Sequence, residues 1–429
     1  MRKINTLLTI CAAASMLHAQ PRINPDDYKI DAADVQRAEK LIAAPVPDDM
    51  VMPTRHPDAQ WYPGAALGLF MHWGIHSVDG IQPSWNMIKH YRYGGKRYHS
   101  PKRYYRLARK FKPTILPDSF LTAAHDAGFT YAVLTTRHHD GYALWPSKYG
   151  IGVRHDLPGR DLVREYVDAC RAAGLKVGLY FSPRDWHYPE AMAPCEFNVR
   201  TRSKVPAITD SVANRAKYVR FVGYVMRQLE ELLTHYGKID LLWLDGMEWR
   251  GIAENNTEKI YSWIRTMQPG IVINDRWANL VDPDNPDGTS VRIGDLTTPF
   301  ECGEPTYIPS PWWEVQDLWT YGGGWGYDRK EKFRPMAWFF KPVGSGAFPW
   351  WQLPGQCGSP ARRRHAAGVL CQDGQSVAVD GVWSRVNLRH RYHARTRALQ
   401  CQAHLAWQRY ALCPCNAKRQ QPGQPDYCP

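Results

Sequence analysis

Residues 239–246 read Ile-Asp-Leu-Leu-Trp-Leu-Asp-Gly, an apolar run closed by a carboxylate and a glycine. It lacks the alternation of a half-exposed strand, so it reads as a strand buried on both faces. A carboxylate ending a buried strand is costly unless it is paired or used in chemistry. Asp245 is therefore a candidate catalytic residue, whereas Asp240, at the start of the run, reads as structural.

Similar runs lie on either side. Residues 66–72, 131–136 and 176–181 read as buried strands, and 271–274 and 290–293 as weaker ones. Helical patterns fall at 31–43, 117–127, 161–173, 214–236 and 255–267, with Asp or Asn near their starts and Gly or Pro near their ends. Strand followed by helix, repeated, predicts a parallel sheet. Polar residues gather at the carboxyl ends of the strands: His72, His138, His139, Tyr180, Asp245 and Arg276. A (β/α)8 barrel collects such residues on one catalytic face. A doubly wound sheet would need a glycine-rich phosphate loop after its first strand, and Gly68 and Gly74 do not form one.

Three histidines at strand ends point to one site, for a metal or for a polyhydroxyl ligand. Neighbouring residues on a strand face opposite ways, so His138 and His139 are not expected to share an ion, and no metal or other cofactor is expected. Trp73, Trp85, Trp145, Trp186 and Trp249 lie near these polar ends. Aromatic rings over C–H faces, beside neutral hydrogen-bonding groups, are the chemistry of a sugar pocket.

The 429 residues, with 18 Trp and 23 Tyr, exclude a disulfide-stapled miniprotein and a disordered chain. The net charge of +13 suggests an anionic partner. Its distribution argues otherwise: residues 345–429 carry +8 of it, leaving +5 for the rest. A nucleic-acid partner is not expected. Six of the ten cysteines also fall in that tail, without the paired spacing of a zinc ribbon. Residues 1–19 read as an export signal, with Arg2 and Lys3 before an apolar stretch and cleavage near Ala19. The expectation is a periplasmic or extracellular protein with no membrane span, since no later run reaches about 18 apolar residues. Oligomeric state is not legible.

Six segments in order resemble the α-L-fucosidases of glycoside hydrolase family 29. They are Phe70-Met71-His72-Trp73-Gly74, Arg137-His138-His139-Asp140-Gly141, Gly178-Leu179-Tyr180-Phe181-Ser182 with Asp185-Trp186, Asp240 to Gly246, Asn274-Asp275-Arg276-Trp277 and Trp325-Gly326-Tyr327. The resemblance covers residues 55–335. It implies a retaining exo-glycosidase acting on fucosylated glycans, with Asp245 as nucleophile and no cofactor. It implies that His72, His138, His139, Tyr180 and Arg276 hold the sugar hydroxyls or the nucleophile. Trp325 corresponds to the ring against the fucose C5 methyl. A related α-L-galactosidase and a non-catalytic fucose-binding protein remain open alternatives.

The resemblance weakens in two places. The family's acid/base Glu aligns with Phe300, so Glu301 is the expected acid/base, with Glu304 and Glu314 nearby. Its early Glu-Trp pair is Ser84-Trp85 here; Trp85 is still expected to bind substrate. The tail departs further. After Glu331 there is no glutamate, and residues 345–429 hold ten Arg and ten Gln without evident periodicity. The family expects a barrel strand there resembling Gly-Asn-Leu-Leu-Leu-Asn-Val-Gly-Pro. Read one nucleotide later, Trp350-Trp351 must become Gly-Gly, and the codons of Gln352 to Ser359 permit Asn-Phe-Leu-Val-Asn-Val-Gly-Pro. The expected organisation is thus a signal at 1–19, a catalytic barrel at 20–345 that is incomplete at its C-terminal strands, and an out-of-frame tail at 346–429 that is no native domain.

Overall fold

The computed structural model describes residues 24–47, 51–65, 67–89, 98–113, 118–189, 197–198, 203–204, 212–246, 256–276, 279–281, 290–301, 312–316, 318, 321, 324–327, 332, 369–372 and 375–386. The expected signal segment, the site of its cleavage, Trp249, Trp277 and Glu304 lie outside these residues.

Five parallel strands run side by side in chain order: β1 (Leu67–His72), β2 (Tyr131–Arg137), β3 (Lys176–Phe181), β4 (Leu241–Leu244) and β5 (Val272–Ile273). A parallel bridge from Asn274 to Leu296 leads on to β6 (Thr297–Glu301), which pairs in parallel with β7 (Trp312–Gln316). The helices α1 (Ala32–Ala43), α2 (Asp118–Asp126), α3 (Leu162–Ala172), α4 (Val212–His235) and α5 (Asn256–Met267) fall within a residue or two of the predicted spans. Asp31 and Asp161 cap α1 and α3 by accepting the Asp34 and Arg164 amides, which would otherwise lack partners.

The strands alternate between two apolar layers. Phe70, Tyr131, Val133, Tyr180, Leu241, Trp243, Val272 and Leu296 fill one cluster, inside the barrel. Leu69, Met71, Ala132, Leu134, Leu179, Leu242, Leu244 and Ile273 join the larger cluster under the helices. This period of two sets the site. His72 follows Phe70 by two residues and Asp245 follows Trp243 by two, so both continue the inward-facing series past the last apolar layer. Gly68 makes room for that interior, because a Cβ there would lie 2.1 Å from the Tyr131 ring.

Three features differ from the sequence reading. Residues 290–292 pair with 279–281 in a separate antiparallel hairpin rather than joining the barrel. The barrel strands β6 and β7 were not predicted; Pro299 within the first and Glu314 and Gln316 within the second mask their strand character. Seven parallel strands of the barrel lie among the described residues. Between β1 and β7 lies β8 (Gln375–Val386), antiparallel to both. Residues 369–372 pair back on it. No strand was expected in the tail. Valines at 377, 379, 382 and 386 give this segment β-propensity, and the unpaired edges of β1 and β7 supply the partners.

Candidate active site

Asp245 sits just past β4, and both carboxylate oxygens are tethered. The Tyr180 hydroxyl donates to Oδ2 at 2.7 Å, and Arg276 Nε donates to Oδ1 at 3.1 Å. Arg276 Nη2 is 3.1 Å from the same Oδ1, and His139 Nε2 lies 3.8 Å from Oδ2. Burial by itself would raise the Asp245 pKa. The Arg276 charge, the Tyr180 hydrogen bond and the nearby His138 and Arg184 outweigh it, and the net shift is downward. Asp245 is therefore an ionised carboxylate at neutral pH. Gly246, at φ +85°, completes the turn; a Cβ there would approach the His139 ring to 2.9 Å.

Aromatic and imidazole rings wall this carboxylate. His138 stacks on Tyr180 at 5.7 Å and is 4.1 Å from the His139 ring, while Tyr180 stacks on Trp243 at 5.5 Å. The Arg276 guanidinium lies over Trp243 at 5.0 Å, a cation–π contact that orients it toward Asp245. His72 lies 5.9 Å from Tyr180 and 5.2 Å from Trp325. Trp85 meets His139 edge-on at 5.1 Å and Trp186 at 5.1 Å. The structure thus brings together His72, Trp85, His138, His139, Tyr180, Asp245, Arg276 and Trp325, all of which the sequence reading singled out.

The expectation that His138 and His139 face opposite ways is overturned. β2 ends at Arg137, so both histidines lie beyond the pleat and turn to the same side. With Asp245 they offer ligand atoms within 4.8 Å of one another. These are the groups that could hold a cation, but Arg276 and Tyr180 already occupy the carboxylate oxygens and compete with one. Ser84 Oγ lies 2.6 Å from His138 Nδ1, and Ser182 Oγ lies 2.6 Å from His139 Nδ1. Burial lowers both imidazole pKa values well below the usual range. Adjacent His139 and His72 add to this at His138, and Arg184, Arg276 and Arg137 at His139. Both rings are neutral.

Of the three glutamates considered as acid/base, Glu304 lies outside the described residues. Glu301 ends β6 opposite Gln316, and its side chain lies outside the described set. Glu314 is fully buried in the barrel interior. It accepts from Trp243 Nε1 at 2.5 Å, Gln316 Nε2 at 2.8 Å, Tyr62 Oη at 3.1 Å and Tyr131 Oη at 3.3 Å. Burial raises its pKa against those four donors. It anchors Trp243 from below the site instead of facing it. Asp240 is structural as expected, with Oδ2 accepting the Val177 amide at 2.9 Å.

Sequence reading missed the supports. Ser84, Ser182 and Trp243 touch site residues, and Arg184 acts on Asp245 and His139 through its charge. Period-two counting could have found two of them, since Trp243 precedes Asp245 by two and Ser182 follows Tyr180 by two. Behind them, Arg137 is fully buried, donates to Ser182 and Arg184 carbonyls and to Gln228 and Tyr224, and lies 3.6 Å from Asp185. This holds the loops after β2 and β3 together.

The chain is similar to known proteins over this region. A model of the alpha-L-fucosidase family matches residues 46–339. The tissue alpha-L-fucosidase of Mus musculus is 28% identical over 296 residues, 66% of this chain and 60% of the mouse protein. That of Rattus norvegicus is 27% identical over 288 residues, 64% of this chain and 56% of the rat protein. The chain therefore spans less than two thirds of these relatives. Among solved structures, alpha-L-fucosidase isoenzyme 1 from Paenibacillus thiaminolyticus is 28% identical at a TM-score of 0.50, covering 65% of this chain and 64% of its own. An alpha-L-fucosidase from Lactobacillus casei, solved with its alpha-L-fucose product, is 25% identical at a TM-score of 0.51, covering 66% of this chain and 86% of its own. The family match takes in well over half of the chain and every described residue of the pocket: the chain belongs to the alpha-L-fucosidase family.

Proposed function

We propose that the chain is a retaining exo-glycosidase that releases α-L-fucose from glycans. The observation that carries this reading is Asp245, an ionised carboxylate held at both oxygens by Tyr180 and Arg276 within a wall of neutral histidines and aromatic rings. In the first step an Asp245 oxygen bonds to the anomeric carbon as the C1–O bond to the leaving group breaks. The acid/base, assigned to Glu301, gives its proton to the departing oxygen. In the second step water attacks the same carbon, Glu301 takes the water's proton, and the ester to Asp245 breaks. Two inversions give net retention. Arg276 and Tyr180 keep Asp245 ionised and aimed. His72, His138 and His139 bond the hydroxyls, and Trp85 flanks the leaving-group side. Trp325 offers an apolar face to the C5 methyl, a preference of about 1–3 kcal/mol for a methyl-sized group.

Two further readings accompany this one. Residues 1–19 direct export, with cleavage near Ala19. Residues 346–429 are out of frame and no native domain; the coding DNA tests this, and it fails unless the codons from Gln352 spell the strand sequence one nucleotide on. Among the described residues no helix is long and apolar enough to cross a membrane.

Hydrolysis of 4-nitrophenyl α-L-fucoside by the full chain and by Asp245→Gly tests the activity. The variant should lose at least about 10³-fold in kcat, and azide, fitting the space left by the side chain, should restore turnover as the β-fucosyl azide. Unimpaired turnover in Asp245→Gly would remove Asp245 from its role.

A further inference from the structure

We propose that Ser84 is a positioning residue that fixes His138 in the tautomer with its proton on Nε2, making that nitrogen a hydrogen-bond donor to the sugar. The clause about the sugar rests on the proposed function; the tautomer assignment does not.

The argument is an accounting of protons in a closed ring of buried groups. The Ser84 amide donates to the Tyr104 hydroxyl at 2.9 Å. Tyr104 gives its one proton to Asp140 Oδ2 at 2.5 Å. The Asp140 amide donates to Ser84 Oγ at 2.9 Å. Two of these donors are backbone N–H groups, whose direction is fixed, and the third faces a carboxylate. Ser84 Oγ is thus an acceptor toward Asp140 and still holds a proton. His138 Nδ1, 2.6 Å away, is its remaining neighbour in the ring. Ser84 is fully buried. If Nδ1 carried the proton instead, it and the serine proton would compete for one 2.6 Å contact, and the fully buried hydroxyl would have to turn its proton away from the ring, which is costly. The favoured arrangement runs Ser84 O–H to Nδ1 and leaves the ring proton on Nε2. His138 makes no other hydrogen bond among the described residues, so Nε2 is available to a ligand.

The backbone adds a second, independent observation. Ser84 has φ +55°, ψ −50°, and is the one non-glycine residue with positive φ among those described. Glycine adopts positive φ without the steric penalty. What serine supplies there, and glycine lacks, is the hydroxyl on His138. Strain of this kind persists only where the surroundings over-determine it. Here Tyr104 and Asp140 hold one side, and Trp85, seated on His139, holds the other.

The test is 15N NMR of the histidine rings in the full-length chain near neutral pH, with kinetics on 4-nitrophenyl α-L-fucoside. The wild type should show His138 with a protonated Nε2 and a pyridine-like Nδ1. Ser84→Ala and Ser84→Gly should both mix the tautomers. Ser84→Gly, which relieves the backbone strain while removing the same hydroxyl, should unfold no earlier than Ser84→Ala, and both should lose about 10- to 100-fold in kcat/KM. A wild-type His138 protonated on Nδ1, or a ring unchanged in Ser84→Gly, overturns the proposal. The expected tautomer in a wild type that does not turn over the fucoside supports the assignment and sinks the glycosidase reading instead.

Discussion

Arg276 sets two nitrogens, Nε and Nη2, each 3.1 Å from Oδ1 of Asp245, and this pairing governs the ionisation of the site. Burial alone would push the Asp245 carboxyl up, and Arg276 is the largest influence holding it down. A depressed carboxyl stays ionised as pH falls, so the acid limb of activity should lie low. Arg276→Gln removes the charge and raises that pKa. The acid limb of the pH profile of kcat/KM should then move up by about one pH unit or more, and the variant should lose more activity near pH 4.5 than near pH 7. Tyr180→Phe should move it the same way by less. A limb that stays in place in Arg276→Gln would show that another group controls it.

Asp140 behaves oppositely. Burial pushes its carboxyl up to about 6, against the hydrogen bonds from Tyr104 and the Tyr142 amide, and Asp185 adds to the rise while Arg137 opposes it. A carboxyl raised on folding binds its proton more tightly in the native state. Its contribution to stability is present below the unfolded value near 4 and is lost as pH rises through about 6. Asp140→Asn cannot titrate. The stability of wild type relative to this variant should fall by about 3 kcal/mol between about pH 4 and pH 7. Urea unfolding of the two proteins at several pH values measures it; parallel curves would place the titration elsewhere.

Much of this site was legible because it follows from strand periodicity. His72, Tyr180 and Asp245 end apolar runs, and the same count of two that buries Phe70 and Trp243 aims His72 and Asp245 inward. What escaped was held by groups distant in sequence. Glu314 is a charged residue within an aromatic segment, and only the approach of Tyr62, Tyr131 and Trp243 from other elements explains it. Ser84 has no local signal, because its meaning lies in Tyr104 and Asp140, 20 and 56 positions along. β6 escaped because Pro299 argues locally against a strand, while the neighbouring β7 supplies the pairing that overrides it.

Glu314 gives a sharp test of its own role. Its four donors would all lose their partner in Glu314→Ala, and a loss of about 3–5 kcal/mol in stability should follow. Glu314→Gln keeps the shape and one accepting oxygen for two of the four donors, and should keep kcat on a fucoside with an unactivated leaving group within about tenfold. An acid/base could not tolerate that change. A Glu314→Gln variant inactive on unactivated fucosides, yet folded, would restore Glu314 as acid/base and displace Glu301.

Trp325 should set the preference for a methyl over a hydroxymethyl at C5. Its ring lies 5.2 Å from His72, at the edge of the pocket. Trp325→Ala should reduce the ratio of kcat/KM for the aryl α-L-fucoside over the aryl α-L-galactoside by about 10- to 100-fold, mainly by weakening the fucoside. An unchanged ratio would assign the discrimination to another wall.

The eighth strand position tests the proposal for the tail. In β8, Ala378 lies opposite His72 and Trp383 opposite Leu67, so its amino-terminal end is at the catalytic face. A strand delivered by a β/α unit would instead run parallel and bring its carboxyl end there, as the other seven do. An antiparallel strand satisfies the edges of β1 and β7 but presents no following loop to the site. A protein read one nucleotide later from Trp350 should place a parallel strand in the same position. It should melt at least about 5 °C above the present chain, a difference of about 1–3 kcal/mol, and hydrolyse the fucoside faster. If the present chain is the more stable and the more active of the two, β8 is the native closure and the tail belongs to the fold.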